Sequence, residues 1–370
     1  MPESLRIAVV GVGRIGLFHA RHVQAVARRT GMCELVAVVD EHGETADRVA
    51  AQLRSEADDG GKGVRSFRSV DDLLASGVSE AAVVASRTAD HERHGRQLVE
   101  GGQRILLEKP LTHSVESAAN FARDLNSSDS HQQAVMIGFM RRFDAALIHA
   151  KELLDAGAIG RLFKVVSILE DPVGQPTGDS SSGILSDMAV HNADEVLWLT
   201  GKRPTAIEGF GARLHNQHVS DVEEDFDDGF VQLRFAGGDG DLIAQIVVSR
   251  NHVAGYRNET LLYGDEGMIH VGRFCTETEQ VHFEAVGKGG HIIESQVFTG
   301  RRHTEAVPMF IERFAAAFVA EVEHFVRQCH SGGAFCVDHN DGLRALEVVE
   351  AGMRSQREPR EGVAIVYESS

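Results

Sequence analysis

Apolar residues in the first part of the chain fall into short unbroken runs separated by stretches with helical spacing. Residues 6–10 (RIAVV), 34–39 (ELVAVV), 81–85 (AAVVA), 105–107 (ILL) and 134–138 (AVMIG) are aliphatic runs without alternation. Strands of this kind are buried on both faces, as in a parallel sheet. Between them, residues 17–27, 46–54, 71–75, 91–100 and 114–126 place apolar side chains three and four positions apart, the period of an amphipathic helix. Residues 55–63 (SEADDGGKG) are polar and glycine-rich and predict a surface loop. The alternation of strand and helix predicts an α/β, doubly wound parallel sheet.

After about residue 145 the rhythm changes. A helix over 145–156 leads to a strand over 162–169 and a helix over 184–199. Strand-like segments follow at 206–214, 229–235, 242–249, 259–263, 268–271, 281–285 and 295–298. This predicts an α+β domain with a large, mainly antiparallel open sheet and a helix laid on one face. Amphipathic helices over 310–328 and 342–358 close the chain.

The length of 370 residues accommodates two such units. Acidic residues outnumber basic ones 55 to 37, a formal charge of −18. That charge repels phosphate backbones and anionic lipid, so nucleic-acid and membrane partners are not expected. Cys33, Cys275, Cys329 and Cys336 are too widely spaced for a zinc ribbon or a disulfide frame. Reduced thiols in a cytoplasmic protein are the expectation, with no secretory signal and no membrane-crossing run.

Gly11-Val12-Gly13-Arg14-Ile15-Gly16 follows the first strand without a spacer and opens a helix. A G-x-G-x-x-G in that setting binds a dinucleotide. Gly11 permits the tight turn, Gly13 lets the backbone approach a pyrophosphate, and Gly16 lets helix and strand pack closely. Asp40 ends the second strand, 24 residues beyond Gly16, where a carboxylate accepts hydrogen bonds from the adenosine ribose. It also repels a 2′-phosphate, and no Arg or Lys follows over residues 41–44, so NAD is expected rather than NADP.

Glu108-Lys109-Pro110-Leu111 ends the fourth predicted strand, and ligands in such sheets sit at the carboxyl ends of strands. A lysine there can stabilise a developing alkoxide, although Glu108 and Lys109 equally suit a surface pair. Asp187 and His191 stand four apart on a predicted helix and project from one face, either as a structural pair or as an acid–base pair. No third residue of fixed spacing completes a metal site with them, and none is expected. His19 with His22, and His91 with His94, could bind zinc, but a solvated helix face is the simpler expectation for His22 and His94. His215 and His218 beside the acidic run 221–228 read as a charged loop entering a strand.

The glycine motif, Glu108-Lys109-Pro110-Leu111, Gly138-Phe139-Met140-Arg141-Arg142-Phe143-Asp144, Asp187-x-x-x-His191 and Glu312-Arg313-Phe314-Ala315-x-Ala317 occur in one order. Together they resemble the glucose–fructose oxidoreductase / inositol dehydrogenase (Gfo/Idh/MocA) family, closest to its inositol 2-dehydrogenase branch, over residues 5–358. The resemblance implies an NAD-binding Rossmann domain over 1–140. It also implies a substrate-binding and oligomerisation domain over 141–370, with room for the final helices to pack back on the first domain. A homodimer or homotetramer is implied, with a small polyol or sugar as substrate.

Carried over by position, the resemblance makes Lys109, Asp187 and His191 the catalytic residues. It assigns cofactor binding to Gly11, Gly13, Arg14, Ile15, Gly16, Asp40, Ser86, Thr88, His91, Glu108, Lys109 and Arg142. Asp171 and Asn192 join the three catalytic residues around the substrate. It implies a cis bond before Pro110 and a pocket lined by residues 173–182. The catalytic helix reads His191-Asn192-Ala193-Asp194, where inositol enzymes often carry His-Asp-Phe-Asp, so the ring recognised can differ from myo-inositol. The implied reaction is oxidation of a cyclic secondary alcohol, inositol-like. Oxidation of a pyranoside or anhydrosugar, an enzyme that keeps and recycles its cofactor, and a nonenzymatic NAD-binding regulator are the alternatives.

Overall fold

The computed structural model describes residues 4–56, 63–173, 183–215, 225–236, 241–300 and 309–357. The first sheet is built from β1 (Leu5–Val10), β2 (Cys33–Val39), β3 (Arg65–Phe67), β4 (Ala81–Val84), β5 (Arg104–Glu108) and β6 (Val135–Gly138). Helices α1 (Arg14–Thr30), α2 (Gly43–Glu56), α3 (Val70–Ser76), α4 (His91–Glu100), α5 (Val115–Asn126) and the single turn α6 (Asp129–Gln132) connect them. The strands are all parallel in the order β3-β2-β1-β4-β5-β6. Ile7 to Val9, Ala81 to Val84 and Ile105 to Leu107 are fully buried, as unbroken aliphatic runs require when helices cover both faces. The short edge strand β3 was not expected, because Arg65 and Ser66 break its apolar pattern.

The second part opens with α7 (Ala145–Asp155), and Asp144 caps it by accepting the Leu147 N–H at 3.1 Å. It continues with β7 (Leu162–Pro172), a π turn over Leu185–Ala189 and α8 (Val190–Thr200). The remaining strands are β8 (Ala206–Ala212), β9 (Asp228–Phe235), β10 (Leu242–His252), β11 (Arg257–Gly264), β12 (Gly267–Val271), β13 (Gln280–Gly287) and β14 (Ile292–Thr299). They form an eight-stranded sheet in the order β14-β13-β12-β11-β7-β10-β9-β8. Every pair is antiparallel except β7 with β10.

Helix α8 lies across one face of this sheet. Its Glu195 is fully buried, and its carboxylate accepts from Ser167 of β7 and Thr260 of β11. Helices α9 (Met309–Arg313), α10 (Ala315–Ser331) and α11 (His339–Arg357) then return to the first sheet. There α10 packs on α1, α11 packs on α5 and α8, and Asp338 bridges to Met136 at the edge strand β6. This return brings the carboxyl end of β5 up to the start of α8.

Candidate active site at the end of β5

The glycine loop is shaped for a phosphate-bearing ligand. Gly11 has φ +81°, and a Cβ there would stand 2.5 Å from the Ser86 backbone. A Cβ on Gly16 would collide with the Gly11 carbonyl at 1.8 Å. Gly13 differs, because a Cβ there would meet nothing within 4 Å. The chain therefore does not need a glycine at 13 for its own packing, whereas a ligand resting on the loop does. Gly13 is also the N-cap of α1, and no side chain caps that end. The first N–H groups of the helix are left to meet an anion. Asp40 stands at the end of β2, and its carboxylate accepts Val12 N–H at 3.1 Å and His42 N–H at 3.0 Å, which ties the glycine loop to the ribose position. Arg14 is exposed and Ile15 half-buried beside it. These features fit NAD.

Other residues expected at the cofactor have internal partners. The His91 ring nitrogens face two main-chain oxygens, Pro110 at 2.8 Å and Ser86 at 3.0 Å, and the residue is 1% exposed. The Ser86 hydroxyl pairs with His94 Nδ1 at 3.0 Å, and Thr88 opens the turn leading into α4. Glu108 turns inward to His19. Arg142 has internal partners too. It is buried, bound to Asp194 through Nε at 3.0 Å and its terminal nitrogen at 2.6 Å, and it also reaches Asp341 and the Cys336 carbonyl. Burial works against its charge, but Asp194 and Asp341 more than offset that and hold the guanidinium ionised. The arginine is a clamp between α8 and the start of α11. His22 is corrected: it is buried and stacks on Phe318 with ring centroids 5.5 Å apart.

Lys109 directly follows β5, and its own bond to Pro110 is cis. Its Nζ donates to the Asp187 carbonyl at 2.8 Å and lies 3.5 Å from Asp187 Oδ1. The two sheets thus meet at one ammonium. The stretch from Asp187 toward His191 is not a regular α-helical turn as the spacing predicted, because residues Leu185–Ala189 form a π turn. Wider turns of this sort reorient side chains and recur at functional sites. Here the side chain of Asp187 is 46% exposed while His191 is buried.

Arg250 of β10 lies 3.7 Å from Asp187 and 3.0 Å from Asp225. Asp225 in turn accepts Ile184 N–H at 2.8 Å, at the start of the π turn. Burial, then the charges of Lys109 and Arg141, push His191 well below the ordinary histidine range, so its ring is neutral at neutral pH. Burial, then the charge of Asp187, raise the Asp171 carboxyl to about 6, against the opposing pull of Arg250 and Lys109.

Asn192 is fully buried; its Nδ2 donates to Ser167 Oγ at 2.7 Å, and its Oδ1 has no hydrogen-bond partner among the described residues. A buried ion pair, Arg141 with Glu195 at 2.8 Å, had no signature in the local pattern. Tyr256 is buried near Arg141 and Asp171, and burial raises its hydroxyl above the usual range. Arg141 was legible only as part of a family segment, and Tyr256 and Arg250 carried no local signal. Residues 174–182, most of the expected pocket wall, lie outside the described residues, as do His218 and 221–224 of the acidic run. Among the described residues no group of three histidines, cysteines or carboxylates is placed to hold a metal ion.

A parallel sheet with an uncapped, glycine-lined helix end, together with a lysine at the end of β5 and a neutral buried histidine on α8, defines a nicotinamide-dinucleotide oxidoreductase. The comparisons agree. Residues 5–139 match the NAD-binding Rossmann fold of the Gfo/Idh/MocA oxidoreductase family, and residues 147–270 match the family's C-terminal domain. The chain belongs to this family.

An inositol 2-dehydrogenase of Rhizobium meliloti (strain 1021) is 26% identical, over 97% of this chain and 98% of that protein. A scyllo-inositol 2-dehydrogenase (NAD(+)) of Bacillus subtilis (strain 168) is 28% identical, over 96% and 95%. The crystal structure of a myo-inositol dehydrogenase from Corynebacterium glutamicum ATCC 13032 superposes with a TM-score of 0.77 at 28% identity, covering 96% of this chain and 97% of that one.

Proposed function

We propose that the protein oxidises a secondary hydroxyl of a cyclic polyol, inositol-like (myo- or scyllo-inositol), to the ketone. The observation that carries this reading is the meeting of Lys109 with the Asp187 carbonyl at 2.8 Å, beside a histidine held neutral by burial and by that lysine's charge. When bound, NAD supplies the hydride acceptor. The Gly11–Gly16 loop, the N-terminus of α1 and Asp40 would hold it. Lys109 donates a hydrogen bond to the reacting hydroxyl oxygen and stabilises negative charge developing there. His191, unprotonated at neutral pH, takes the hydroxyl proton. Asp187 orients the lysine, and Asp171 accepts a hydrogen bond from a neighbouring ring hydroxyl when ionised. The inositol dehydrogenases named above support the substrate class.

We read residues 1–140 as the cofactor-holding unit and 141–370 as the substrate and assembly unit. Four unpaired thiols support a cytoplasmic protein. The face of the second sheet opposite α8 supports a homodimer or homotetramer. In register, Phe210 stands beside Phe230, at 62% and 49% exposure, and the half-buried Val247 follows on the other side of Phe230. A contiguous apolar face of this kind is covered most simply by a second copy.

The test is a panel of inositol isomers, glucosides and anhydrosugars with NAD, followed by NADH absorbance. Turnover of an inositol supports the reading. Turnover of pyranosides alone moves the substrate class to glycosides, and NAD binding without turnover of any member points to a regulator.

A further inference from the structure

Glu108, the residue before the active-site lysine, is anchored at both carboxylate oxygens. Oε1 meets His19 Nε2 at 2.6 Å, and Oε2 accepts the backbone N–H of Lys109 at 3.1 Å. Burial pushes the Glu108 carboxyl up, but the hydrogen bond and charge of His19, with the charges of Lys109 and His91, outweigh it and hold it below the ordinary range. An ionised carboxylate only accepts, so His19 Nε2 carries the hydrogen. His19 lies on α1, the helix whose first turn faces the cofactor, and is 1% exposed. Phe318 of α10 meets it edge-on with ring centroids 5.9 Å apart. Glu321, one turn further along α10, is fully buried with neither oxygen hydrogen-bonded.

We propose that His19 is a positioning residue: through Glu108 it ties the cofactor helix to the backbone of Lys109, and so sets the ammonium's place relative to the dinucleotide. The inference rests on the role proposed above for Lys109. The lysine is then held at two ends, its N–H by Glu108 and its Nζ by the Asp187 carbonyl. Releasing the first anchor lets the end of β5 move against α1. A shift too small to disturb binding is enough to slow a transfer that needs near-contact geometry.

The test compares His19→Leu with His19→Gln in the full chain. A glutamine amide nitrogen can reach the place of Nε2 and restore the donor; leucine cannot. Two readouts are taken on folded variants, checked by melting temperature. The first needs no substrate: the rate at which trinitrobenzenesulfonate modifies Lys109, followed by peptide mass spectrometry with the other lysines as internal standards. The second is kcat and KM on the substrate found in the panel, with NADH affinity from fluorescence titration.

With leucine, Lys109 labelling rises severalfold, kcat falls about tenfold and NADH affinity stays within about twofold. With glutamine, labelling and kcat both return to near wild type. A folded leucine variant with wild-type labelling, or a loss of kcat that glutamine does not restore, overturns the proposal. Altered labelling in a protein that oxidises no polyol leaves the anchor standing and removes the functional reading instead.

Discussion

Glu321→Gln replaces a buried acid with its neutral isostere, and it should change how stability depends on pH. Burial, then the nearby charge of Glu108, raise the Glu321 carboxyl well above its ordinary 4.5. In the unfolded chain the group ionises normally, so above about pH 4.5 the folded state holds one proton that the unfolded state has lost. A raised folded value means that stability is complete below the unfolded pKa and is lost as pH rises toward the folded one. The slope for one proton is about 1.4 kcal/mol per pH unit. Glutamine binds no proton and removes that slope.

The variant should match wild type near pH 4.5 and gain on it steadily. For as long as the folded carboxyl keeps its proton, the gain grows by about 1.4 kcal/mol per pH unit. Urea unfolding of both proteins at half-unit steps measures it, with the difference in midpoint multiplied by the common m-value. Parallel pH profiles would refute the reasoning, since they would mean that Glu321 is ionised in the folded state or already reached by water.

The remaining predictions concern the site. Gly13→Ala should keep the wild-type melting temperature, because its Cβ meets no protein atom, yet lose at least about tenfold in NADH affinity by fluorescence titration. Gly11→Ala should lose stability as well, about 1–2 kcal/mol from the left-handed backbone alone, because its Cβ also runs into Ser86. If the charged form of Asp171 holds the substrate as proposed, a limb near pH 6 in the pH profile of kcat/KM should belong to it, since burial and Asp187 raise its carboxyl to about 6. Asp171→Asn should remove that limb and raise KM, whereas an unchanged limb would assign it elsewhere.

The parts of this protein that could be read from its sequence are the local ones. The glycine loop lies between a strand and a helix that are its immediate neighbours, and Asp40 follows at a fixed distance along the second strand. Lys109 was legible because it ends a buried run. What the local pattern could not show shares a cause, a partner far along the chain. Asp194 and Asp341 enclose Arg142, and β7 brings Ser167 to Asn192. His22 read as a solvated residue because α10, nearly 300 positions later, is what covers it.

The Asp187–His191 spacing does not reveal that a π turn begins between Ile184 and Asp187. A π turn has no signature that distinguishes it from an α-helical turn in the pattern of apolar positions. The parallel pairing of β7 with β10 is likewise invisible to alternation, which records faces and not neighbours.

The central claim is that Lys109, at the end of β5, and His191, on α8, act on the same carbinol beside a bound dinucleotide. Lys109→Met and His191→Gln, each assayed for turnover of the panel's best substrate and for NADH affinity, test it most directly. The account predicts that either replacement lowers kcat by at least about a hundredfold, the scale of a lost proton acceptor or oxyanion donor, with NADH affinity nearly unchanged. A variant that turns over at the wild-type rate, or one that fails only because it no longer binds NADH, would contradict it.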